Sequence, residues 1–484
     1  MTFNSWEFLI FFPIVALLYF VLPKRARWIM LLIASYYFYM FYQADLMFLI
    51  VTTTVISWLA SFVIERTQNR TLRRIMLAIT LTVCLGILFF YKYFNFLADS
   101  VVSIVNLLGG EAPPVVLDLI LPVGISFYTF QTLSYVIDVY RGDIKTEKNL
   151  FFYALFVSFF PQLVAGPIER PDNLIPQLKQ NNKFNRDDFV RGGKYMLVGF
   201  FKKIVVADLI SAYVNTVYNS PEGATGIGVI IATALFAVQI YCDFSGYTDI
   251  ATGCARMMGI RLMKNFDHPY TATSIKEFWG RWHISLSSWF KDYLYIPLGG
   301  NRCKRWRHLL NIVIVFAVSG LWHGANWTYV VWGLLHGFYQ VVGNLTWRGR
   351  NALLGKVGLT KDSLCVVLVC RVITFALVCF SWLFFRANSM GDAVVLLRAL
   401  FTNPGQLSST LDMMGLDIVA ILLCVSSIIV LYVIDRMHVY GEEPDGSGML
   451  VRRGAFVYFI WIVLIAWTLL LSKDMASTFI YFQF

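Results

Sequence analysis

The sequence predicts an all-α, polytopic membrane protein, on three observations. Of its 484 residues 58% are hydrophobic and only 14% charged, less charge than a soluble domain of this length carries. Apolar windows of about 17 to 25 residues, enough to cross a hydrocarbon core at ~1.5 Å rise per residue, recur along the whole chain. Basic residues gather in alternate loops, the mark of a chain that crosses a bilayer repeatedly.

Roughly eleven or twelve spans are expected on that length criterion. Residues 6–22, 46–64, 75–91, 116–139, 227–250, 366–385, 418–434 and 456–471 are clear windows, 28–42 is short, and 309–342 reads as two. The first window has no basic residue before it and no small-residue cleavage site after it, so a retained anchor is expected. Lys24, Arg25 and Arg27, then Arg66, Arg70, Arg73 and Arg74, then Arg141, Lys145 and Lys148 mark cytoplasmic loops. Residues 99–114 and 219–228 contain no Lys or Arg and fit the outer face, with the N-terminus outside.

Two segments break the pattern. Residues 150–168 are apolar yet lie between the basic loop ending at Lys148 and the basic stretch 179–194, so a single crossing would leave one of them on the wrong side. Pro161, Gly166 and Pro167 interrupt a helix there, and a re-entrant hairpin, tolerated only inside protein, is expected. Residues 276–298, taken as a helix, set Trp279, Trp282, Leu286, Trp289 and Tyr293 on one face and Arg281, Ser285, Ser288 and Asp292 on another, with His283 beside the aromatic stripe. An interfacial helix with an aromatic belt reads the same way. The glycine-led basic run 299–308 suits either a bound phosphate or topology anchoring against anionic lipid.

His323 is the most informative residue. It lies in Ser319-Gly320-Leu321-Trp322-His323-Gly324-Ala325-Asn326-Trp327, inside a stretch, 309–342, with no Asp, Glu, Lys or Arg. An ionisable ring at membrane depth is expensive and marks function by default. Its two flanking glycines admit close approach, and Trp322, Trp327 and Asn326 offer stacking and hydrogen bonds. On a continuous helix His336 would lie ~20 Å further along the axis and on another face. A shared metal is therefore not indicated unless Gly324 breaks the helix, and no His-Glu-x-x-His spacing appears.

Eight cysteines without Cys-x-x-Cys spacing read as buried thiols, with neither disulfides nor zinc. The net charge of +11 is dispersed over loops and does not point to nucleic acid. Asp243, Tyr247 and Asp249, at or inside a span, mark either a pathway or internal helix-to-helix pairs, and Glu169, Arg170 and Asp292 have the same standing.

Several stretches together resemble the membrane-bound O-acyltransferases, and within them the alginate O-acetylation branch. They are Leu121-Pro122-Val123-Gly124-Ile125-Ser126-Phe127, Phe159-Phe160-Pro161-Gln162 ending in Gly166-Pro167, and Tyr241-Cys242-Asp243-Phe244-Ser245-Gly246-Tyr247. Phe278-Trp279-Gly280-Arg281-Trp282-His283, Asp292-Tyr293-Leu294-Tyr295-Ile296-Pro297, Trp322-His323-Gly324 and Phe384-Phe385-Arg386-Ala387 follow in order. The resemblance implies one integral membrane domain over 1–484, with its core motifs within 121–345. It implies a helical bundle around a transmembrane funnel with His323 near the narrowest point, and it makes His283 a second functional histidine.

Acyl transfer from a thioester to a hydroxyl needs a base for the hydroxyl proton and donors for the developing oxyanion. His323, with an ordinary pKa of ~6.5, is the natural base. By adjacency Asn326 or the Trp322 indole orients the imidazole or holds the oxyanion, and His283 assists proton transfer or positions the donor. Arg281, Lys291, Arg302, Lys304 and Arg305 are the candidates for the donor's phosphates. The resemblance further implies cytoplasmic acetyl-CoA or an acyl carrier as donor and no covalently bound cofactor. It also implies as acceptor an exported polysaccharide such as alginate or an extracytoplasmic partner acetyltransferase, and as setting the lipid of a bacterial inner membrane. Peptidoglycan and teichoic acid are alternative acceptors. A transporter would also use broken helices and buried polar groups, but the two halves of the sequence show no matching repeat.

Overall fold

The computed structural model describes residues 1–41, 44–436, 455–471 and 479, and the regular secondary structure among them is all helical. The chain forms two compact units, residues 1–196 with 247–263 and residues 197–246 with 264–484.

The first unit is built on α1 (Trp6–Val21), α2 (Lys24–Met40), α3 (Met47–Arg66), α4 (Arg70–Leu107), α5 (Ile125–Arg141), α6 (Leu150–Ser158), α7 (Phe160–Leu163), α8 (Pro171–Lys179) and most of α9 (Arg186–Phe200). Thr53, Ser57 and Ser61 recur every fourth residue on α3, and all three are buried. Small side chains at that spacing let helices approach closely. Each hydroxyl bonds to a carbonyl of the preceding turn, and Ser57 also meets the Tyr153 hydroxyl of α6 at 2.7 Å.

The expected span 116–139 is shorter than the sequence suggests, because α5 begins only at Ile125. Pro113, Pro114 and Pro122 keep the preceding chain out of helix. That chain is instead held by Asn95 of α4, whose amide exchanges two 2.9 Å hydrogen bonds with the backbone of Leu117. Residues 150–168 are broken as expected, with α6 stopping at Phe159 (φ −52°, ψ 109°) before the single turn of α7. Residues 159–169 are all buried, where irregular backbone must be satisfied by protein. Gln131 and Gln162 both donate to the Phe156 carbonyl, and the Ser35 hydroxyl accepts from the Phe160 amide. Gly124 (φ +73°) sits against this turn so closely that a Cβ would lie 2.6 Å from the Leu163 carbonyl.

The second unit contains a π-helical turn Phe201–Ala207, α10 (Asp208–Tyr218), most of α11 (Gly226–Met257), α12 (Ile275–Arg281), α13 (Ile284–Phe290) and a second π-helical turn Lys291–Tyr295. There follow α14 (Arg305–His323), α15 (Trp327–Lys356), α16 (Leu364–Arg386), α17 (Met390–Thr402), α18 (Leu407–Met414), α19 (Ile418–Arg436) and α20 (Ala455–Leu471). The stretch 309–342 is two helices, as the sequence suggests. Gly324 is extended and Asn326 caps α15, so α15 folds back on α14. A Cβ on Gly320 would strike the Tyr329 carbonyl and one on Gly333 the Phe316 carbonyl.

Four described helical segments are long and apolar enough to cross a membrane: Ala44–Arg66, Arg70–Leu107, Gly226–Met257 and Leu364–Arg386. A fifth results if Leu407–Met414 and Ile418–Ile434, bent by 82°, count as one span, and Trp6–Val21 and Trp461–Leu470 are shorter apolar helices. The apolar window 116–139 is helical only from Ile125, and α2 opens with Lys24, Arg25 and Arg27.

Two predictions follow from this packing. Gly320→Ala and Gly333→Ala should each lower the unfolding temperature in detergent, by overpacking worth roughly 1–3 kcal/mol. Gly355→Ala, whose Cβ would meet nothing within 4 Å, should not. Burial pushes the Glu169 carboxyl up to about 7, against the Met263 amide and the Asn173 side chain that donate to it. Its stabilising effect is complete below the unfolded value of ~4.3 and is lost as pH rises through about 7. Glu169→Gln should flatten that part of the stability profile in a pH series of thermal melts.

Candidate active site

His323 is the last residue of α14 and is 2% exposed. Its Nδ1 lies 2.6 Å from the Ser319 carbonyl oxygen one turn back. A carbonyl can only accept, so Nδ1 carries the proton and the neutral ring presents its lone pair at Nε2. Three aromatic rings fix the imidazole plane, with centroids at 4.7 Å (Trp332), 5.0 Å (Trp322) and 5.7 Å (Phe385), all edge to face.

His283 departs from its expected setting. The sequence allows one helix over 276–298, but the backbone turns left-handed at His283 (φ 45°, ψ 54°) and separates α12 from α13. A non-glycine residue there is uncommon and persists only when its surroundings hold it. The holder is Asn265. Its Oδ1 accepts from the Ser285 amide (3.3 Å) and hydroxyl (2.9 Å) and lies 3.0 Å from His283 Nδ1, while its carbonyl accepts from the Ile284 amide at 2.9 Å. An oxygen already accepting from Ser285 makes His283 Nδ1 a donor too. The break turns the fully buried His283 ring toward His323, and the two imidazoles meet edge to face with centroids 6.4 Å apart. Trp322 touches both, at 5.9 Å from His283.

Behind His323 stands an aromatic wall. Trp332 lies 5.2 Å from His336 on its other side and stacks on Trp382 at 5.7 Å. The fold-back at Gly324 brings His336 near His323 as a continuous helix would not, yet the Trp332 ring packs against both imidazoles. The Trp279 indole of α12 donates to His336 Nδ1 at 3.2 Å. This bond ties the helix leading into His283 to the hairpin carrying His323.

The remaining expected residues scatter. Trp322 is at the site. Asn326 is not support for the imidazole, because its Oδ1 accepts from the Thr328 amide and its Nδ2 donates to the Asn388 carbonyl. Arg281 is occupied by Glu277 (2.7 Å) and the Thr271 hydroxyl (2.8 Å). Arg302, Lys304 and Arg305 are exposed. Lys291 lines a cavity of about 1220 Å³ together with Lys276, Arg350, Trp279, Phe316 and Ser319, the residue whose carbonyl holds His323. Asp292 is half-buried in the π-helical turn beside it.

Asp243 takes the internal-pair role. It lies 2.7 Å from Lys203 Nζ, which also meets Asp208 at 2.8 Å, and all three side chains are buried. Tyr247 is buried and stacks on Phe3 at 4.4 Å, and Asp249 is half-buried. Sequence reading missed Asn265, Trp332 and Lys203. Only Lys203 left a signal, as a lysine within the largely apolar run 195–207. No local pattern marks an asparagine that works through a backbone turn eighteen residues on.

A family model described as MBOAT, membrane-bound O-acyltransferase family, matches residues 143–381. "Probable alginate O-acetylase AlgI" of Pseudomonas aeruginosa is 39% identical over 83% of this chain and 75% of its own length. The protein of the same name from Pseudomonas putida is 35% identical over the full length of both. "Peptidoglycan O-acetyltransferase" of Helicobacter pylori is 34% identical over 81% of this chain and 77% of its own.

The hydrogen bonds assign tautomers that ¹⁵N NMR of histidine-labelled protein can read. Neutral His283 and His323 should carry the proton on Nδ1, and His336, which accepts there from Trp279, on Nε2. Trp279→Phe should change the His336 signal and leave the Nδ1–H assignment of His323 in place.

Proposed function

Because the chain belongs to the membrane-bound O-acyltransferase family and is an acyltransferase, we propose that it transfers an acetyl group from a cytoplasmic thioester, acetyl-CoA, to a hydroxyl presented on the other side of the membrane. The acceptor in this reading is an exported polysaccharide such as alginate, or an extracytoplasmic partner acetyltransferase. The observation that carries it is the buried pair of imidazoles, 6.4 Å apart, with His323 Nδ1 committed to a carbonyl.

His323 Nε2 takes the acceptor's hydroxyl proton as its oxygen attacks the thioester carbonyl. The C–S bond then breaks as the tetrahedral centre collapses, and the proton passes to the leaving thiolate, with His283 as the relay. The indole N–H groups of Trp322 and Trp332, whose rings pack on His323, are the candidate donors to the developing oxyanion. Lys276, Lys291 and Arg350 on the cavity wall suit the phosphates of the donor, and the apolar rings beside them exclude water.

The test is release of free CoA from acetyl-CoA by purified protein, together with labelled acetyl transfer to an acceptor. His323→Ala should lower turnover by roughly 10²–10⁴-fold, the usual worth of a positioned base. Wild-type turnover by that folded variant would remove His323 from the chemistry. Lys276→Ala, Lys291→Ala and Arg350→Ala should raise the donor KM more than they lower kcat.

A further inference from the structure

Arg386 is the cation whose surroundings the mechanism above leaves unused. It ends α16 directly after Phe385, the residue packed on His323. Its half-buried guanidinium lies over the Tyr218 ring at 5.3 Å. Nη1 donates to Asn388 Oδ1 (3.0 Å), and Nη2 donates to Asn215 Oδ1 (2.7 Å) and Asn219 Oδ1 (3.1 Å). Every one of these partners is neutral. Arg256 and Arg281, in contrast, each have a carboxylate, Asp188 and Glu277. A guanidinium drawn partly out of water ordinarily finds an acid, and among the described residues Arg386 has none within ion-pair distance. Three asparagines aim it, and none of them carries a charge to offset its own. Two of its five N–H donors, Nε–H and one on Nη1, are not taken by those amides.

The cluster is tied to the catalytic turn. Asn388 donates to the Tyr218 carbonyl and accepts through its own carbonyl from Asn326, the cap three residues after His323. Asn219 and Asn388 are exposed, and Trp327, next to Asn326, is 52% exposed. Asn219 opens the 219–228 loop, which has no Lys or Arg and reads from the sequence as outer face. A cation framed by amides, with a half-exposed indole beside the Asn326 cap, is the chemistry that recognises a hydroxyl-rich molecule bearing a carboxylate.

We infer that Arg386, aimed by Asn215, Asn219 and Asn388, binds the carboxylate of the acceptor, a uronate-type sugar chain, on the acceptor side of His323. This rests on the acyl-transfer reading given above. Its readout is binding, so the two can fail separately.

The experiment is equilibrium binding of a hexuronate tetrasaccharide, and of the same sugar with its carboxyl groups reduced to alcohols, to full-length protein in detergent. Wild type and His323→Ala should both bind the acidic sugar at least tenfold more tightly than the neutral one, a difference of ~1.4 kcal/mol. Arg386→Gln should lose that preference while holding the neutral sugar as wild type does, and Arg386→Lys should retain part of it. Asn219→Asp, which supplies an internal carboxylate and keeps the guanidinium bonded, should lose it too and covers the case in which Arg386→Gln does not fold. Equal binding of both sugars by wild type, no binding of either, or an undiminished preference in Arg386→Gln or Asn219→Asp would overturn the assignment. Normal binding without acetyl transfer would refute the proposed reaction and leave the site standing.

Discussion

The close crossing of α14 and α15 is the constraint on which the rest of the site depends. Gly320 and Gly333 let each helix rest on the other's backbone carbonyls, and that contact puts Trp332 within 4.7 Å of the imidazole that ends α14. With larger residues there, the Trp332 ring and the His336 behind it would stand away from His323. Dispersion and the edge-to-face preference of aromatic rings then hold the imidazole plane, and one hydrogen bond to the Ser319 carbonyl sets which nitrogen is basic.

Irregular backbone recurs at three places where the chain bears a polar group inward. His283 stands at a break between two short helices, residues 159–169 form a buried turn, and Lys203 projects from a π-helical turn toward Asp208 and Asp243. At the first two, nearby side chains meet backbone groups that a regular helix would have consumed. Asn265 does this for the His283 turn, and Gln131 and Gln162 do it near the buried turn. Buried asparagine and glutamine are suited to the task, since one amide both donates and accepts.

Much of the membrane character was legible in the linear pattern, because apolar length and charge placement are properties of composition along the chain. His323 was legible for the same reason, as an ionisable residue in a segment without charge. His283 stood out only through resemblance, since on helical periodicity it falls beside an aromatic stripe. Asn265 was not legible, and the five basic residues assigned to donor phosphates divided according to cavity lining and local partners that periodicity does not encode.

The sequence by itself determined an all-helical chain with His323 in an uncharged apolar segment, a broken segment at Pro161, Gly166 and Pro167, and its membership in a family of acyltransferases. Hydrophobic periodicity, proline sterics and motif order are local, and they survive in a one-dimensional reading. Only the tertiary structure decided that His283 leaves its helix to face His323, that Asn326 serves a helix cap and not the imidazole, that Asp243 pairs with Lys203, and that Arg386 is framed by asparagines from α10 and the segment after α16. Those outcomes depend on which distant groups arrive within about 3 Å of one another, where hydrogen bonds form, and that is settled by packing.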